Sequence, residues 1–188
     1  NISVSRFYDH CVLAWNLRKC LKTCVKGPDV AFVGYPPIEA AYVMGSWLKN
    51  KKIPFLLDVK DQWPNILVAS FPGPLRFLAR ILLAPYYVVG KKSMLDATGI
   101  CTHTPGFLNW SLAFSKRNLS NNDVIAPLTA PNDVIDAESM NRAQDWWLGQ
   151  GFFKTPMLRV VFVGSFSRAF DFDTIFSAAS ELKAKNVA

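Results

Sequence analysis

Residues 53–64 read IPFLLDVKDQWP, and the first seven of them, 53–59, form an almost unbroken apolar run. Such a run is typical of a parallel strand that helices cover on both faces. A similar short run, 29–34 (DVAFVG), comes before it, and residues 38–52 between the two carry apolar side chains at helical spacing. The sequence therefore predicts a strand, a helix and a second parallel strand.

The same alternation continues along the chain. Residues 75–97 are predicted to form a long helix that Pro85 kinks or divides. The other predicted elements are strands at 98–102, 124–128 and 158–163 and helices at 105–117, 137–148 and 173–185. Alternation of this kind favours an α/β fold with a Rossmann-like, doubly wound parallel sheet, whose ligands bind beyond the carboxyl ends of the strands.

Composition and charge limit the function classes. The chain has 188 residues, of which 51% are hydrophobic and 19% charged, so it can bury a core and is neither disordered nor fibrous. The net charge is +7, and the first part, through Asn122, carries 15 basic and 6 acidic residues. This excess favours an anionic partner, whether a phosphate, a nucleotide or an anionic membrane surface. Nucleic acid is not expected, because the basic part lacks interleaved aromatic residues and any known nucleic-acid-binding motif.

The cysteines and the apolar runs predict the compartment. The four cysteines form no CxxC pair and no metal-binding spacing with His, and two of them lie on one helix-like stretch, which suits reduced thiols. These four are Cys11, Cys20, Cys24 and Cys101. No uncharged run reaches the roughly 18 to 20 residues of a membrane-spanning helix. We therefore expect a cytoplasmic chain that is peripheral at the inner face of the plasma membrane. We also expect both of its ends to be cut from a longer protein.

Two carboxylates and one amine lie at the end of the strand at 53–59. Asp58, Lys60 and Asp61 should lie where helical cover thins and a cleft opens. A carboxylate in a partly dry cleft gains a raised pKa and can act as a general base, and a neighbouring Lys lowers that pKa or binds an anion. The alternative is a solvated loop in which these charges pair locally.

A second candidate site is the turn after the predicted strand 158–163. It consists of Gly164, Ser165, Phe166, Ser167 and Arg168. Small residues there let backbone N–H groups approach a phosphate, and the Arg adds a permanently charged, planar group. The turn matches neither GxGxxG nor a P-loop, so an ordinary strand-to-helix turn with an exposed Arg is the alternative.

His103 follows the predicted strand 98–102 and precedes Thr104 and Pro105. This position allows contact with a ligand at the carboxyl end of the sheet. The alternative is a His that only satisfies local hydrogen bonds.

Residues 70–92 (SFPGPLRFLARILLAPYYVVGKK) combine aromatic, aliphatic and basic side chains. Such a stretch can rest on an anionic bilayer, with the basic groups near the lipid head groups and the apolar ones partly inserted. A helix that buries most of its apolar face in the core is the alternative.

Four segments in this order resemble bacterial GT-B glycosyltransferases of family 4, especially those of capsule, O-antigen and exopolysaccharide synthesis. They are 28–37 (PDVAFVGYPP), 53–64, 105–110 (PGFLNW) and 161–168 (VFVGSFSR). The resemblance implies two Rossmann-like domains that face a cleft, one for the acceptor and one for a nucleotide sugar. Residues 1–150 would be part of the first domain with a linker at 129–156, and 151–188 the start of the second. No metal or other cofactor is implied.

The implied reaction transfers a sugar from a nucleotide-sugar donor to a hydroxyl of a lipid-linked or growing glycan acceptor, with retention of configuration. The resemblance assigns catalysis to Lys60, Asp61 and Arg168. Donor binding falls on the turn at 164–168, whose members are Gly164, Ser165, Phe166, Ser167 and Arg168. The residues that would bind the acceptor are Tyr35, Asp58 and His103.

The sequence also departs from the family. Lys60 stands where many members have His, and Ser165 and Phe170 stand where many have basic residues. These departures leave two alternatives open, a non-catalytic homologue that binds a glycan or sugar nucleotide, and a GT-B sugar-nucleotide epimerase. We expect this chain to be inactive on its own.

Overall fold

A computed structural model describes residues 4–129, 133–152, 159–164, 166 and 170–185. Contacts between residues divide the chain into two compact units, Asn1–Ala130 and Pro131–Ala188. This division lies within 129–156, the predicted linker. The predicted domains assign the polar helix near residue 140 to the first unit, whereas the contacts group it with the second.

The first unit is an α/β structure. Its elements are α1 (Val4–Thr23), β1 (Ala31–Tyr35), α2 (Ile38–Asn50), β2 (Phe55–Val59), α3 (Asn65–Ala69), α4 (Arg76–Leu82), α5 (Ala84–Asp96), β3 (Gly99–Thr102), α6 (Pro105–Ser115) and β4 (Val124–Ile125). One turn of 3₁₀ helix, Gly73–Leu75, precedes α4. The four strands form one sheet, β1-β2-β3-β4, in which all neighbours are parallel. The predicted parallel α/β sheet is confirmed.

The core lies on one face of this sheet. Register places Val33 beside Leu57 and Leu57 beside Ile100, and all three side chains are buried among residues of α2, α5 and α6. Side chains alternate between the two faces of a strand. The next residue along β1, Phe32, therefore points to the other face, and it is 63% exposed.

The strand order differs from a doubly wound sheet. A doubly wound sheet reverses its strand order at a switch point, but the described strands follow one another in sequence order. Right-handed crossovers that always advance in one direction place their helices on one face. This explains why the core residues of β1, β2 and β3 all share that face.

The division of the long predicted helix is confirmed. Residues 75–97 form α4 and α5, which are separated at Leu83, and Pro85 lies in the first turn of α5. Pro has no backbone N–H and fits the first turn of a helix, where that group would have no helical partner. Proline therefore starts a second helix here.

Some predicted boundaries are wrong. The predicted loop 60–74 contains α3, and the predicted strand 124–128 is only two residues long. In the second unit α7 (Ala137–Gly149) and α8 (Phe172–Ala184) agree with the predicted helices. Residues 159–163, however, are not in a strand. A strand needs a hydrogen-bonded neighbour, and no other residue that the structure describes in this unit is in a strand.

A buried ion pair joins three elements of the first unit. Arg117 Nη2 donates to Asp123 Oδ1 at 2.9 Å, and the Asp123 side chain is fully buried. The same carboxylate accepts from the backbone N–H of Ile100 at 2.8 Å and of Ser120 at 2.8 Å. Arg117 Nη1 also donates to the carbonyl of Met94 at 3.0 Å. The pair thus connects the end of α5, the start of β3 and the turn before β4.

Gly99 is expected to tolerate no side chain. A Cβ at this position would lie 2.7 Å from Leu56 Cδ2 and would collide with the backbone carbonyl of Asn122. Because that carbonyl cannot move without shifting the turn before β4, we expect Gly99→Ala to lower the free energy of unfolding by about 1–3 kcal/mol. Urea unfolding followed by circular dichroism measures this loss.

Gly34→Ala is the matched control in the same sheet. A Cβ at Gly34 would meet no atom within 4 Å. We therefore expect Gly34→Ala to change the free energy of unfolding by less than about 0.5 kcal/mol or to raise it slightly. Equal losses in the two variants would show that the contacts at Gly99 are not the cause.

Candidate functional site

The sheet register brings three small or polar residues into one row near the carboxyl ends of the strands. Gly34 of β1 lies beside Asp58 of β2, and Asp58 lies beside Cys101 of β3. The row lies on the face opposite the core, because Val33 and Leu57, one residue earlier, point into the core. Since Gly34 has no side chain and no atom lies near its Cβ position, the surface next to Asp58 is open.

Asp58 and Lys60 form an ion pair in the open row. The Lys60 Nζ lies 3.1 Å from Asp58 Oδ2, and the two side chains are 64% and 12% exposed. The backbone N–H of Lys60 donates to the carbonyl of Tyr35 at 3.0 Å, which holds the residue after β2 against the end of β1. The amine of Lys60 therefore stays accessible to solvent, while its main chain is held against the end of β1.

Asp61 and His103 are electrostatically coupled beside this pair. Removal of water from its surroundings raises the pKa of Asp61, and His103, which follows β3, opposes the rise. The His103 ring lies against Phe107 of α6, with ring centroids 4.5 Å apart. Asp61 has no ion pair among the residues that the structure describes. It is therefore the carboxylate best able to accept a proton here.

The structure thus brings together Asp58, Lys60, Asp61 and His103. Each follows or ends one of two neighbouring parallel strands, as the sequence predicts. Coupling of these charges also agrees with the alternative of a loop whose charges pair locally. The open surface beside Gly34 gives a ligand access to these side chains, and their use as a functional site stays a prediction.

Cys101 belongs to the same site and was missed by sequence reasoning. Its side chain is 6% exposed. Burial raises the pKa of the thiol, the Asp58 carboxylate raises it further, and Lys60 opposes both. A neutral thiol therefore lies beside the ion pair and can donate a weak hydrogen bond. Because side chains alternate along a strand, Cys101 shares a face with His103, two residues later, and could have been placed near this edge from the sequence. Only the strand register shows that Cys101 lies beside Asp58.

The predicted contact between Tyr35 and an acceptor is corrected by the structure. Tyr35 is 1% exposed and lies in the core. Its hydroxyl donates to the carbonyl of Trp63 at 2.7 Å. Burial raises the pKa of this hydroxyl above its usual range, and the nearby Glu39 carboxylate adds to the rise. Tyr35 therefore does not reach the open surface but anchors the loop that carries Lys60 and Asp61.

The second candidate site is described only in part. Ser165, Ser167 and Arg168 lie outside the described residues. Phe166 is 73% exposed and its ring centroid lies 4.5 Å from that of Phe172. A Cβ at Gly164 would lie 2.9 Å from the ring of Phe162, so close packing of an aromatic ring is sufficient to explain this glycine. A role of this turn in donor binding stays a prediction.

The described residues show neither a metal-binding cluster nor a membrane-spanning helix. Within the described ranges, no group of three or more His, Cys, Asp or Glu side chains could hold a metal ion. No described helix combines the length and the apolar character needed to cross a bilayer. The expectation of a reaction without a metal stays a prediction.

Comparison of this chain with protein-family models, curated proteins and solved structures gives no match. The resemblance to GT-B glycosyltransferases therefore stays a prediction that rests on the four sequence segments.

Proposed function

We propose that the carboxyl edge of the sheet is the acceptor side of a sugar transferase with the GT-B architecture. The observation that carries the proposal is the convergence of Asp58, Lys60, Asp61 and His103 on an open surface, with the pKa of Asp61 raised. The reaction would move a sugar from a nucleotide donor to a hydroxyl of a lipid-linked or growing glycan.

In this proposal Asp61 is the general base. The acceptor hydroxyl loses its proton to Asp61, its oxygen forms the new bond to the anomeric carbon, and the departing diphosphate takes the electron pair of the broken bond. A carboxylate with a raised pKa suits this step because its affinity for the proton is closer to what neutral pH requires. Asp58 is less suited because its charge is already paired with Lys60.

Lys60 and His103 would bind the acceptor. The Lys60 amine is 64% exposed and keeps donors for a ligand oxygen while it contacts Asp58. His103 opposes the rise in the pKa of Asp61 and would contact the acceptor beside it. Tyr35 would support these residues from the core through its bond to Trp63.

The donor would bind the turn at 164–168. Negative charge develops on the departing diphosphate, and backbone N–H groups at Gly164 and Ser165 with the Arg168 guanidinium would stabilise it. Each well-placed donor contributes about 3 kcal/mol to such a step. This part of the proposal rests on the sequence resemblance.

A non-catalytic protein that binds a glycan or sugar nucleotide is the second candidate. It is favoured by the ion pair between Lys60 and Asp58, because a Lys that pairs with a carboxylate stands where many family members have His. Such a protein would hold the ligand at the same edge without proton transfer.

The natural full-length protein is expected to release nucleoside diphosphate from a nucleotide sugar when a lipid extract of its source supplies the acceptor. We expect Arg168→Ala to lower this turnover by about 10²-fold, because one charged donor to the leaving group is lost. Lys185→Ala, which removes a basic residue near the end of α8, is the matched control and should leave turnover unchanged. A panel of nucleotide sugars analysed by chromatography and mass spectrometry measures the products.

The possible results of this experiment distinguish the candidate functions. Binding of a nucleotide sugar or glycan without turnover would favour the non-catalytic protein. Formation of an epimerised sugar without an acceptor would favour the epimerase. Full turnover by Arg168→Ala would remove Arg168 from the site.

A further inference from the structure

Helix α4 presents an unusually apolar surface to solvent. Four of its seven side chains are long, apolar and 53–75% exposed, and only Ala79 is buried. The four are Phe77, Leu78, Ile81 and Leu82. We call the surface formed by these four residues and Arg80 the α4 face. Exposed apolar side chains grouped in this way mark a surface for a partner or a membrane.

The helix geometry orders these side chains around the axis. At 3.6 residues per turn, Phe77 and Ile81 point away from the buried Ala79. Leu78 and Leu82 lie on one flank of this ridge, and Arg80 lies on the other. The α4 face therefore has an apolar centre with a basic side.

Charge around the α4 face is of one sign. The chain has no acidic residue between Asp61 and Asp96, whereas it has four basic ones there. Arg80 makes no hydrogen bond or ion pair among the described residues. Its neighbour Arg76 is already used, since it donates to the carbonyls of Phe71 at 3.1 Å and Ala69 at 3.4 Å. A free guanidinium is thus available to an anionic group.

An open cavity of about 680 Å³ lies beside α4. Polar groups at its wall come from Asn65, Arg76, Arg80 and Tyr87, and two valines supply apolar wall. A phosphate with attached hydrocarbon needs this combination of a cation and an apolar surface.

We propose that the α4 face docks on an anionic phospholipid bilayer. Phe77 and Ile81 insert among the acyl chains near the head groups, and Arg80 contacts a lipid phosphate at the cavity. The charge favours an anionic bilayer over a second copy of this chain, because a second copy of the same surface would offer no acidic group to Arg80. The inference does not rest on the proposed sugar transfer, and since no described helix can span a bilayer, it concerns binding at the surface.

Flotation of the chain with lipid vesicles tests the proposal. The vesicles are pure phosphatidylcholine or phosphatidylcholine with about one third phosphatidylglycerol, without any sugar donor or acceptor. We expect binding to the anionic vesicles that weakens as salt is added, because the basic contribution is screened. Binding to neutral vesicles should be much weaker.

Two variants remove the apolar and the basic contributions to vesicle binding separately. Phe77→Ser with Ile81→Ser should lower the partition coefficient by at least about tenfold, because two apolar side chains no longer leave water. Arg80→Gln should lower it by about fivefold, the factor expected for one basic residue near an anionic surface. Both changes lie at exposed positions, and circular dichroism checks that the fold is kept.

Matched controls remove similar groups elsewhere in the first unit. Val25→Ser with Leu119→Ser removes two apolar side chains that are 93% and 68% exposed, and Lys51→Gln removes one exposed charge. Both controls should bind anionic vesicles like the parent chain.

Several results would overturn the proposal. Equal binding to neutral and anionic vesicles would exclude the basic contribution, and unchanged partition of both α4 variants would exclude this face. If sedimentation shows a dimer that Phe77→Ser with Ile81→Ser dissociates, the face joins two copies of the chain instead. If the variant with Phe77→Ser and Ile81→Ser unfolds, the result for Arg80→Gln alone decides whether the α4 face binds the bilayer.

Discussion

Asp61→Asn in the natural full-length protein is expected to lower kcat/KM for sugar transfer by about 10²–10⁴-fold, the range for removal of a general base. Asn has the shape of Asp but cannot accept the proton of the acceptor hydroxyl. Because the surroundings of Asp61 are otherwise unchanged, acceptor binding should persist. Initial rates at varied acceptor concentration measure the loss.

The pH profile separates a base from a binding group. Removal of water raises the pKa of Asp61, while His103 opposes the rise. Below this pKa the carboxyl is protonated and cannot take a proton, so the rate should fall on the acid side, at a pH above the ordinary Asp pKa of about 3.9. In Asp61→Asn the residual rate should lose this acid limb.

Asp29→Asn is the matched control for this prediction. Asp29 is exposed and precedes β1, at the opposite edge of the sheet from Asp61. The substitution changes the net charge equally but should leave the rate and its pH profile as they are. An Asp61→Asn protein with full turnover, or one that retains the acid limb, would show that another group accepts the proton.

Asp123→Ala is expected to lower the free energy of unfolding by about 3–5 kcal/mol, the cost of breaking one side of a buried ion pair. The change leaves Arg117 without its anion and the backbone N–H groups of Ile100 and Ser120 without their acceptor. Such a loss is a large part of the roughly 5–15 kcal/mol that stabilises a typical protein. Urea unfolding followed by circular dichroism measures it.

Lys92→Ala provides the control in the same unit. Lys92 lies 2.6 Å from Asp96 within α5, and its side chain is 49% exposed. Exposed helical pairs contribute only about 0.3–0.5 kcal/mol. If Asp123→Ala costs no more than Lys92→Ala, the buried pair does not hold the sheet to α5.

Several parts of the fold that depend on local sequence were predicted correctly. The apolar runs around Val33 and Leu57 became neighbouring parallel strands, and Pro85 marks the start of a second helix. Each signal lies within a few residues of the element that it predicts. The predicted strand 158–163 was wrong over its described residues, 159–163, because a strand also needs a partner, which a local run cannot supply.

The candidate site shows the same difference between what local sequence predicts and what depends on distant partners. Asp58, Lys60, Asp61 and His103 could be placed together because residues that follow neighbouring parallel strands meet at one edge. The direction of Tyr35 was missed, although it is two residues from the buried Val33 and so shares its face.

The links made by Arg117 were also missed. This side chain reaches Met94, which is 23 residues away along the chain. No pattern of neighbouring residues indicates such a distant partner.

The sequence order of the strands also has a consequence for how the sheet assembles. Among the described strands, β2, β3 and β4 each pair with the strand that immediately precedes them in the chain, so none of them has to insert between two strands that are already joined. The sheet can therefore grow outward from either of its end pairs, but every step joins residues that a whole crossover separates, as it separates Leu56 from Gly99. Because loop closure precedes each of these pairings, we expect closure of the crossovers to limit the rate at which the sheet forms.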